Sequence, residues 1–315
     1  MKQLTFLLYS LLYCDVALAI ETPPQWAYAQ NPPNSIVQPN DNSIRHVPNS
    51  DLSYTFAQVK DLFFAPDWHP QDHAPLPDVV AQGRKPDVYA CGFCHRADGP
   101  GGPENASLAG LPKNYIVQQM ADFKSGARKS SVPDRAPVTN MLIVAKAISD
   151  ADIEAAAVYF SSLKPRKNIR VIETNQVPKT FERGWHLAKT DTGETEPIGK
   201  RIIEVPDVLD DFISRDSRTT FTAYVPKGSI KKGRKLVQNN NQNLSCTSCH
   251  GKELRGDNNI PALAGRSPSY ITRQIYDFKL GLRKNSARQA MQLAVQNLNA
   301  DDIIAIASYS ASLDP

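Results

Sequence analysis

Apolar residues fall into helical register twice near the ends of two long stretches, at Ile153, Ala156, Ala157 and Phe160 and again at Ile303, Ile306 and Ala307. Each run opens on a capping residue followed by acids, Ser149-Asp150-Ala151-Asp152 and Asn299-Ala300-Asp301-Asp302. Side-chain oxygens and negative charge at that end satisfy the first free backbone N–H groups and the helix dipole, so both runs predict helices. Upstream, NYIVQQMADFKSGARK (Asn114 to Lys129) and SYITRQIYDFKLGLRK (Ser269 to Lys284) read as a second matched pair of amphipathic helices at an offset of 155 residues, each preceded by Leu-Ala-Gly (Leu108 to Gly110, Leu263 to Gly265). Beyond them the offset falls to 150, because Ser130 to Asn140 is five residues longer than Asn285 to Ala290. With that loop allowed, Met141 matches Met291, Ile148 Leu298, Asp152 Asp302, Ile153 Ile303, Tyr159 Tyr309 and Leu163 Leu313. The chain is internally duplicated. Aromatic residues on such helical stripes, here Tyr159, Phe160 and Tyr309, read as packing residues.

The rest of the chain lacks this period. Residues 20–83 are rich in proline and asparagine and predict an arm that wraps the first unit or stays partly disordered. Its aromatics Tyr54, Phe56, Phe63, Phe64 and Trp68 need burial, for which the connector at 167–227 is the candidate surface. That connector shows two short strand patterns, Arg201 to Val205 and Thr220 to Val225, each followed by proline, and is expected to be a mostly irregular strap with one small hairpin. The first nineteen residues carry Lys2, an apolar run from Leu4 to Leu12 and Ala17-Leu18-Ala19, the pattern of a cleavable signal peptide. Cys14 follows the bulky Tyr13, which argues against lipid anchoring there. No later stretch approaches the roughly 18 apolar residues of a membrane span, so a soluble periplasmic protein is expected. The organisation is then signal peptide 1–19, arm 20–83, first domain 84–166, connector 167–227 and second domain 228–315.

Candidate chemistry sits at equivalent places in the two repeats. CGFCH spans Cys91 to His95 and CTSCH spans Cys246 to His250, again 155 residues apart. On a helical turn, positions i, i+3 and i+4 share a face, so Cys91 and Cys94, or Cys246 and Cys249, can form thioethers to one porphyrin edge while His95 or His250 reaches the iron. A zinc ribbon would set its CxxC pairs about 15 to 20 residues apart, and a dithiol site has no need of a histidine after both second cysteines. Disulfides are a third use of cysteines in an exported protein, but all four cysteines beyond the signal segment lie in the two motifs. Two covalently bound haem c groups are the expected cofactors.

Of the four methionines, Met1 is the initiator and Met120 aligns with Ile275 inside an amphipathic helix, where packing is its expected role. Met141 and Met291 alone recur at equivalent positions, in what is expected to be a loop between helices. A thioether is a soft ligand that raises the potential of histidine-ligated haem iron, so both are candidate distal ligands. The metal ligands expected are His95, Met141, His250 and Met291.

These motifs make each repeat resemble a small class I cytochrome c domain, and the pair is similar to the diheme cytochromes of the cytochrome c4 type. The resemblance covers Arg84 to Arg166 and Gly228 to Pro315. It implies an all-α fold of two tandem cytochrome c domains, haem edges brought close, and outer-sphere electron transfer between periplasmic partners. In that family a prolyl carbonyl accepts the proximal histidine's Nδ1 proton, which here falls on Pro261 in the second repeat but on Ala106 in the first. The long connector and the arm also depart from the pattern.

Charge is unevenly divided. The first domain carries 11 basic against 8 acidic residues, the second 12 against 6, the arm 2 against 7, and the connector 10 of each, for a net +4. A basic haem domain suits steering toward an acidic redox partner, and no aromatic-basic module points to nucleic acid. Of the remaining histidines, His46, His69, His73 and His186, the pair in DWHPQDH would make the first haem bis-histidine if either displaced Met141. Three functions stand: a soluble electron carrier, a diheme enzyme of peroxidase-like or sulfur-oxidising type, and an electron-accepting subunit of a dehydrogenase or oxidase. The first is favoured and the protein is expected not to be an enzyme, because two complete CxxCH-to-Met units leave no iron position open to substrate.

Overall fold

The structure is a computed structural model and describes residues 22–32, 41–238, 245–257, 259–284 and 288–315. The expected signal segment and Cys14 lie outside the described residues.

The arm is ordered by what it packs on. Strands β1 (Ile44–Arg45) and β2 (Tyr54–Thr55) pair antiparallel, followed by helices α1 (Phe56–Lys60) and α2 (Asp78–Ala81). Thr55 and Gln58 cap α1 reciprocally. Trp68 is only 2% exposed, and its indole N–H donates to the carbonyl of Ser214 at 2.7 Å. Next to it His69 meets Asp216 at 3.0 Å. Asp72 accepts from Arg218 at 2.7 and 2.8 Å and from Arg166 at 3.0 Å, and the Arg218 hydrogen bonds bring its carboxyl down to about 2. The arm therefore wraps, and Trp68 is buried on the connector.

The first repeat consists of α3 (Cys91–His95), α4 (Lys113–Ser125), α5 (Ala136–Ala147) and α6 (Asp150–Ser162). Ile116 of α4 packs with Ile153, Ala157 and Phe160 of α6, and Val79 and Val80 of the arm close the same core. Ser149 caps α6, accepting from the Asp152 N–H at 3.1 Å, where the sequence placed it.

Residues 169–226 depart furthest from expectation. They form β3 (Ile169–Thr174), β4 (Gln176–Pro178), β5 (Thr180–Arg183), β6 (His186–Lys189), β7 (Thr195–Pro197), β8 (Ile203–Pro206), helix α7 (Leu209–Ile213) and β9 (Phe221–Pro226). β9 is the centre of a three-stranded sheet, parallel to β3 and antiparallel to β8, while β4–β7 and β5–β6 form two antiparallel pairs. β8 and β9 coincide with the two strand patterns of the sequence. The irregular strap is in fact a small β unit, so the all-α expectation describes the repeats alone. The remaining strands are three to six residues long, and β3 finds its partner some fifty residues away, at Ile169 against Phe221. Such pairings leave no local alternation to read. The sheet docks on the second repeat through Ile169, Phe221, Ala223 and Ala311.

The second repeat adds a helix that the first lacks, α8 (Ser229–Gln238), before α9 (Cys246–His250), α10 (Pro268–Lys279), α11 (Arg288–Val295) and α12 (Ala300–Ser312). α8 crosses α12 at Gly233, and Val237, Ile275, Tyr276, Ile303 and Ala307 fill the core around that crossing. The repeats meet across a pseudo-two-fold seam in which Arg128 pairs with its own equivalent, Arg283. Arg128 donates to Gln119 at 2.8 Å and to Gln274 at 3.0 Å, and Arg283 donates to Gln274 at 2.6 Å and also to Gln119. Backbone bonds from Lys129 to Leu282 (2.9 Å) and from Lys284 to Ala127 (2.6 Å) flank the pair.

Candidate cofactor sites around the two CxxCH turns

Helix α3 carries Cys91, Cys94 and His95 on one turn, and α9 carries Cys246, Cys249 and His250 on another; none of the four thiols is in a disulfide. Each histidine is oriented from behind. Nδ1 of His95 donates to the carbonyl of Ala106 and Nδ1 of His250 to that of Pro261, both at 2.8 Å. An acceptor there fixes the tautomer and leaves each Nε2 with a free lone pair. Burial, the largest influence, lowers both imidazole pKa values and keeps them in that neutral form. Replacement of proline by Ala106 thus costs the first site no hydrogen bond, because the acceptor is main chain.

Two glycines that the sequence reading missed hold these loops in place. Gly101 and Gly256 occupy equivalent positions with φ of +66° and +69°. A Cβ at Gly101 would lie 2.5 Å from the carbonyl oxygen of Ala106, and one at Gly256 would lie 2.1 Å from that of Ile260. Their own N–H groups donate to the carbonyls of His95 (3.0 Å) and His250 (2.8 Å), closing each loop on its turn. Recurrence of glycine at the repeat offset was the available signal. Gly256→Ala is expected to move the 260–261 backbone, weaken the hold on His250 and shift the second redox midpoint while leaving the first in place. Paired midpoints in a potentiometric titration check this.

Burial disfavours a thiolate at three of the four cysteines. Burial pushes Cys91 up to about 12 and raises Cys94 and Cys246 as well, whereas zinc ligation and disulfide exchange both require a thiolate. Among the described residues, no group of three His, Cys, Asp or Glu side chains is arranged to hold a metal ion.

The methionines differ from expectation in their setting. Met141 and Met291 are both partly buried, but they lie on helices α5 and α11 instead of in loops. In α5, Pro137 stands in the first turn, where its missing N–H is harmless, so the helix starts before Met141. In α11, the run Gln289 to Leu293 is made of good helix formers. Met291 packs on the core of its repeat. The arm histidines have other partners. His69 bonds Asp216, while His73 bonds Asp67 at 3.1 Å and the carbonyl of Ala74 at 2.8 Å, which favours structural roles for both.

The two turns are unequally covered. In the first, Gly92 and Phe93 are buried: a Cβ on Gly92 would touch Ala65 (2.8 Å) and the carbonyl of Val80 (2.9 Å), and the Ala90 N–H donates to Leu62 at 2.9 Å. Arg215, from the connector, stacks 3.4 Å over the Phe93 ring and donates to the Phe93 carbonyl at 2.9 Å and the Val59 carbonyl at 3.2 Å. Burial lowers its pKa to about 10, which leaves it a cation. In the second turn, Ser248 and Cys249 are exposed. Nothing in the sequence announced Arg215, although CGFCH against CTSCH already contrasts an apolar with a polar residue at the covered position.

Comparison with known proteins agrees with this geometry. The family model described as Cytochrome c matches residues 230–314. Cytochrome c4 of Azotobacter vinelandii is 26% identical over 249 residues, covering 76% of this chain and 91% of that protein. A thiosulfate dehydrogenase electron acceptor of Thiomonas intermedia (strain K12) is 27% identical over 230 residues, covering 72% and 80%. Cytochrome c-554(548) of Halomonas halodenitrificans is 35% identical over 69 residues, which is 22% of this chain and 83% of that protein.

Proposed function

Since the chain belongs to the cytochrome c family, with covalently bound haem c as its cofactor, we propose that it is a periplasmic carrier that passes single electrons between redox proteins without acting on a substrate. The reading takes 84–166 and 228–315 as the two haem domains. The observation that supports it most is the repeated arrangement of a CxxCH turn whose histidine is held at 2.8 Å by a backbone carbonyl in both halves. Similarity to a thiosulfate dehydrogenase electron acceptor favours a dehydrogenase as the donor.

The residues present fit the group. Cys91 and Cys94, and Cys246 and Cys249, would hold it covalently; His95 and His250 would offer Nε2 on one side and Met141 and Met291 their sulfur on the other. Bound haem supplies an iron that gains and loses one electron with little change in its ligands. The protein's part is to hold those ligands fixed. Ala106 and Pro261 orient the imidazoles, Phe160 stands edge-on to His95 with ring centroids 6.3 Å apart, and Tyr159 anchors α6 to the Ala97 carbonyl at 2.8 Å. At the seam Arg128 and Arg283 are buried and, among the described residues, neither has a carboxylate within ion-pair distance. Buried cations call for countercharge, and the carboxylates of two bound porphyrins would provide it.

Met291→Ala tests the ligand assignment. The variant is expected to bind carbon monoxide at one haem, to lose the weak far-red sulfur-to-iron absorption of that haem, and to show a lower midpoint there, because a thioether ligand raises the potential. Met141→Ala should do the same at the other haem. Wild-type spectra and midpoints in both variants would refute methionine ligation.

A further inference from the structure

The two haem turns differ in cover and in the charge around them. Over the first lie the arm and the connector: Ala65 and Val80 against Gly92, and Arg215 against Phe93. The arm that supplies part of this cover has 7 acidic and 2 basic residues. Among the described residues the second turn has no such cover, with Ser248 and Cys249 exposed. It adjoins α8, which contains no acidic residue. On that helix Gly233 and Val237 face inward, whereas Lys231, Arg234 and Lys235, at i, i+3 and i+4, share an exposed face. Lys232 is paired with Asp302 at 2.8 Å, but Lys231, Arg234 and Lys235 make no ion pair among the described residues.

We propose that the carrier has a single docking face, formed by the exposed Cys246–His250 turn and the Lys231, Arg234 and Lys235 side of α8, and that its partner is a redox protein with an acidic face. The arm and connector close the first haem turn to partners, so electrons reach the first haem by way of the second. The inference rests on the carrier reading and adds where the partner binds. Charge supports an acidic partner, because the unpaired cations of α8 attract it. Electrostatic steering of this kind acts on the association rate and weakens with salt. Unpaired charges at an interface rim also restrict which partners dock, since a basic partner would face three uncompensated repulsions.

The test uses the full holoprotein and reduced flavodoxin, an acidic one-electron donor protein, in stopped-flow. Lys231→Glu/Arg234→Glu/Lys235→Glu is expected to lower the second-order rate about tenfold or more at low salt, with the gap closing as salt rises. A control with the same change in net charge, Lys124→Glu/Lys146→Glu/Lys164→Glu on the first repeat, is expected to lose far less. Equal losses in the two triples, or no loss in the first, would overturn the docking face. A reductive titration separates the two claims. If the wild type takes up two electrons, the carrier reading stands whatever the triples do; if it takes up fewer, that reading itself fails. All three proteins should have the same haem content and far-ultraviolet dichroism, because every altered side chain is exposed.

Discussion

Gly233→Ala is expected to destabilise the second repeat severely while sparing the first. The Cβ it adds would lie 2.0 Å from the carbonyl oxygen of Ala305 and 2.7 Å from the Cβ of Tyr309. Both are fixed parts of α12, so neither can swing aside. Within a helix the change would ordinarily help by about 1 kcal/mol, because alanine is the better helix former. Here α8 must instead move off α12 by more than an ångström, and Val237, Ile303 and Ala307 lose their interdigitation. Forcing atoms into a close-packed crossing costs about 1–3 kcal/mol and occasionally more. With backbone oxygen as the obstacle we expect a net loss of about 3 kcal/mol, or roughly 12–24 °C in the melting of a unit this size. Calorimetry would show it as a shifted transition for the second unit. Among the described residues the first unit has no comparable crossing: only the four-residue α2 precedes its CxxCH turn. An unshifted melting profile would show that the helices are not in contact in solution.

The same asymmetry shows how far the sequence could be read. The repeat register carried most of the candidate site, because a duplicated motif is its own control: His95 and His250, Met141 and Met291, and the caps Ser149 and Asn299 stand at matched positions in the two halves. Features present in only one half had no such support. Arg215 reaches Phe93 from 122 residues away, and a long-range contact by a flexible cation leaves no periodic trace. β3 escaped for a related reason, since its pairing is nonlocal; β5 and β6 form a local hairpin across Gly184 and Trp185, but their few residues are too short to show an alternation. The methionine helices were misjudged from the opposite direction: the loop was expected because both methionines fall between two predicted helices, whereas Pro137 was the local signal for a helix start. His69 and His73, raised in the sequence as alternatives to Met141, bond Asp216 and Asp67, partners that follow only from the fold.

His186 should make the protein labile to mild acid. It lies on β6, 4% exposed, with its ring 4.3 Å from that of Phe212. Nδ1 is 3.4 Å from the Gly184 carbonyl, and Nε2 is buried without a partner. Burial is the main cause that lowers its pKa from 6.5 to about 4; Glu104 and the Gly184 carbonyl oppose the shift, and Arg96 and Arg183 add to it. A protonated imidazole is thus tolerated in the unfolded chain but not in the folded one. Above pH 6.5 both states hold the ring neutral and nothing is lost. As pH falls from there toward 4, the unfolded chain binds the proton first, so stability drops, by about 2 kcal/mol at pH 5 and on the order of 3 kcal/mol once both states are protonated. His186→Leu removes the titrating group and keeps an apolar side chain against Phe212. Its denaturation midpoint should match that of the wild type at pH 7 and exceed it clearly at pH 5. The same loss in both proteins over that interval would place the acid sensitivity on other groups. Since Phe212 also packs beneath Arg96, with the guanidinium 5.0 Å from its ring, protonating His186 strikes the connector where it covers the first haem turn. Acid loosening should therefore appear first as increased access to Cys94 and Phe93, ahead of any change at Cys249.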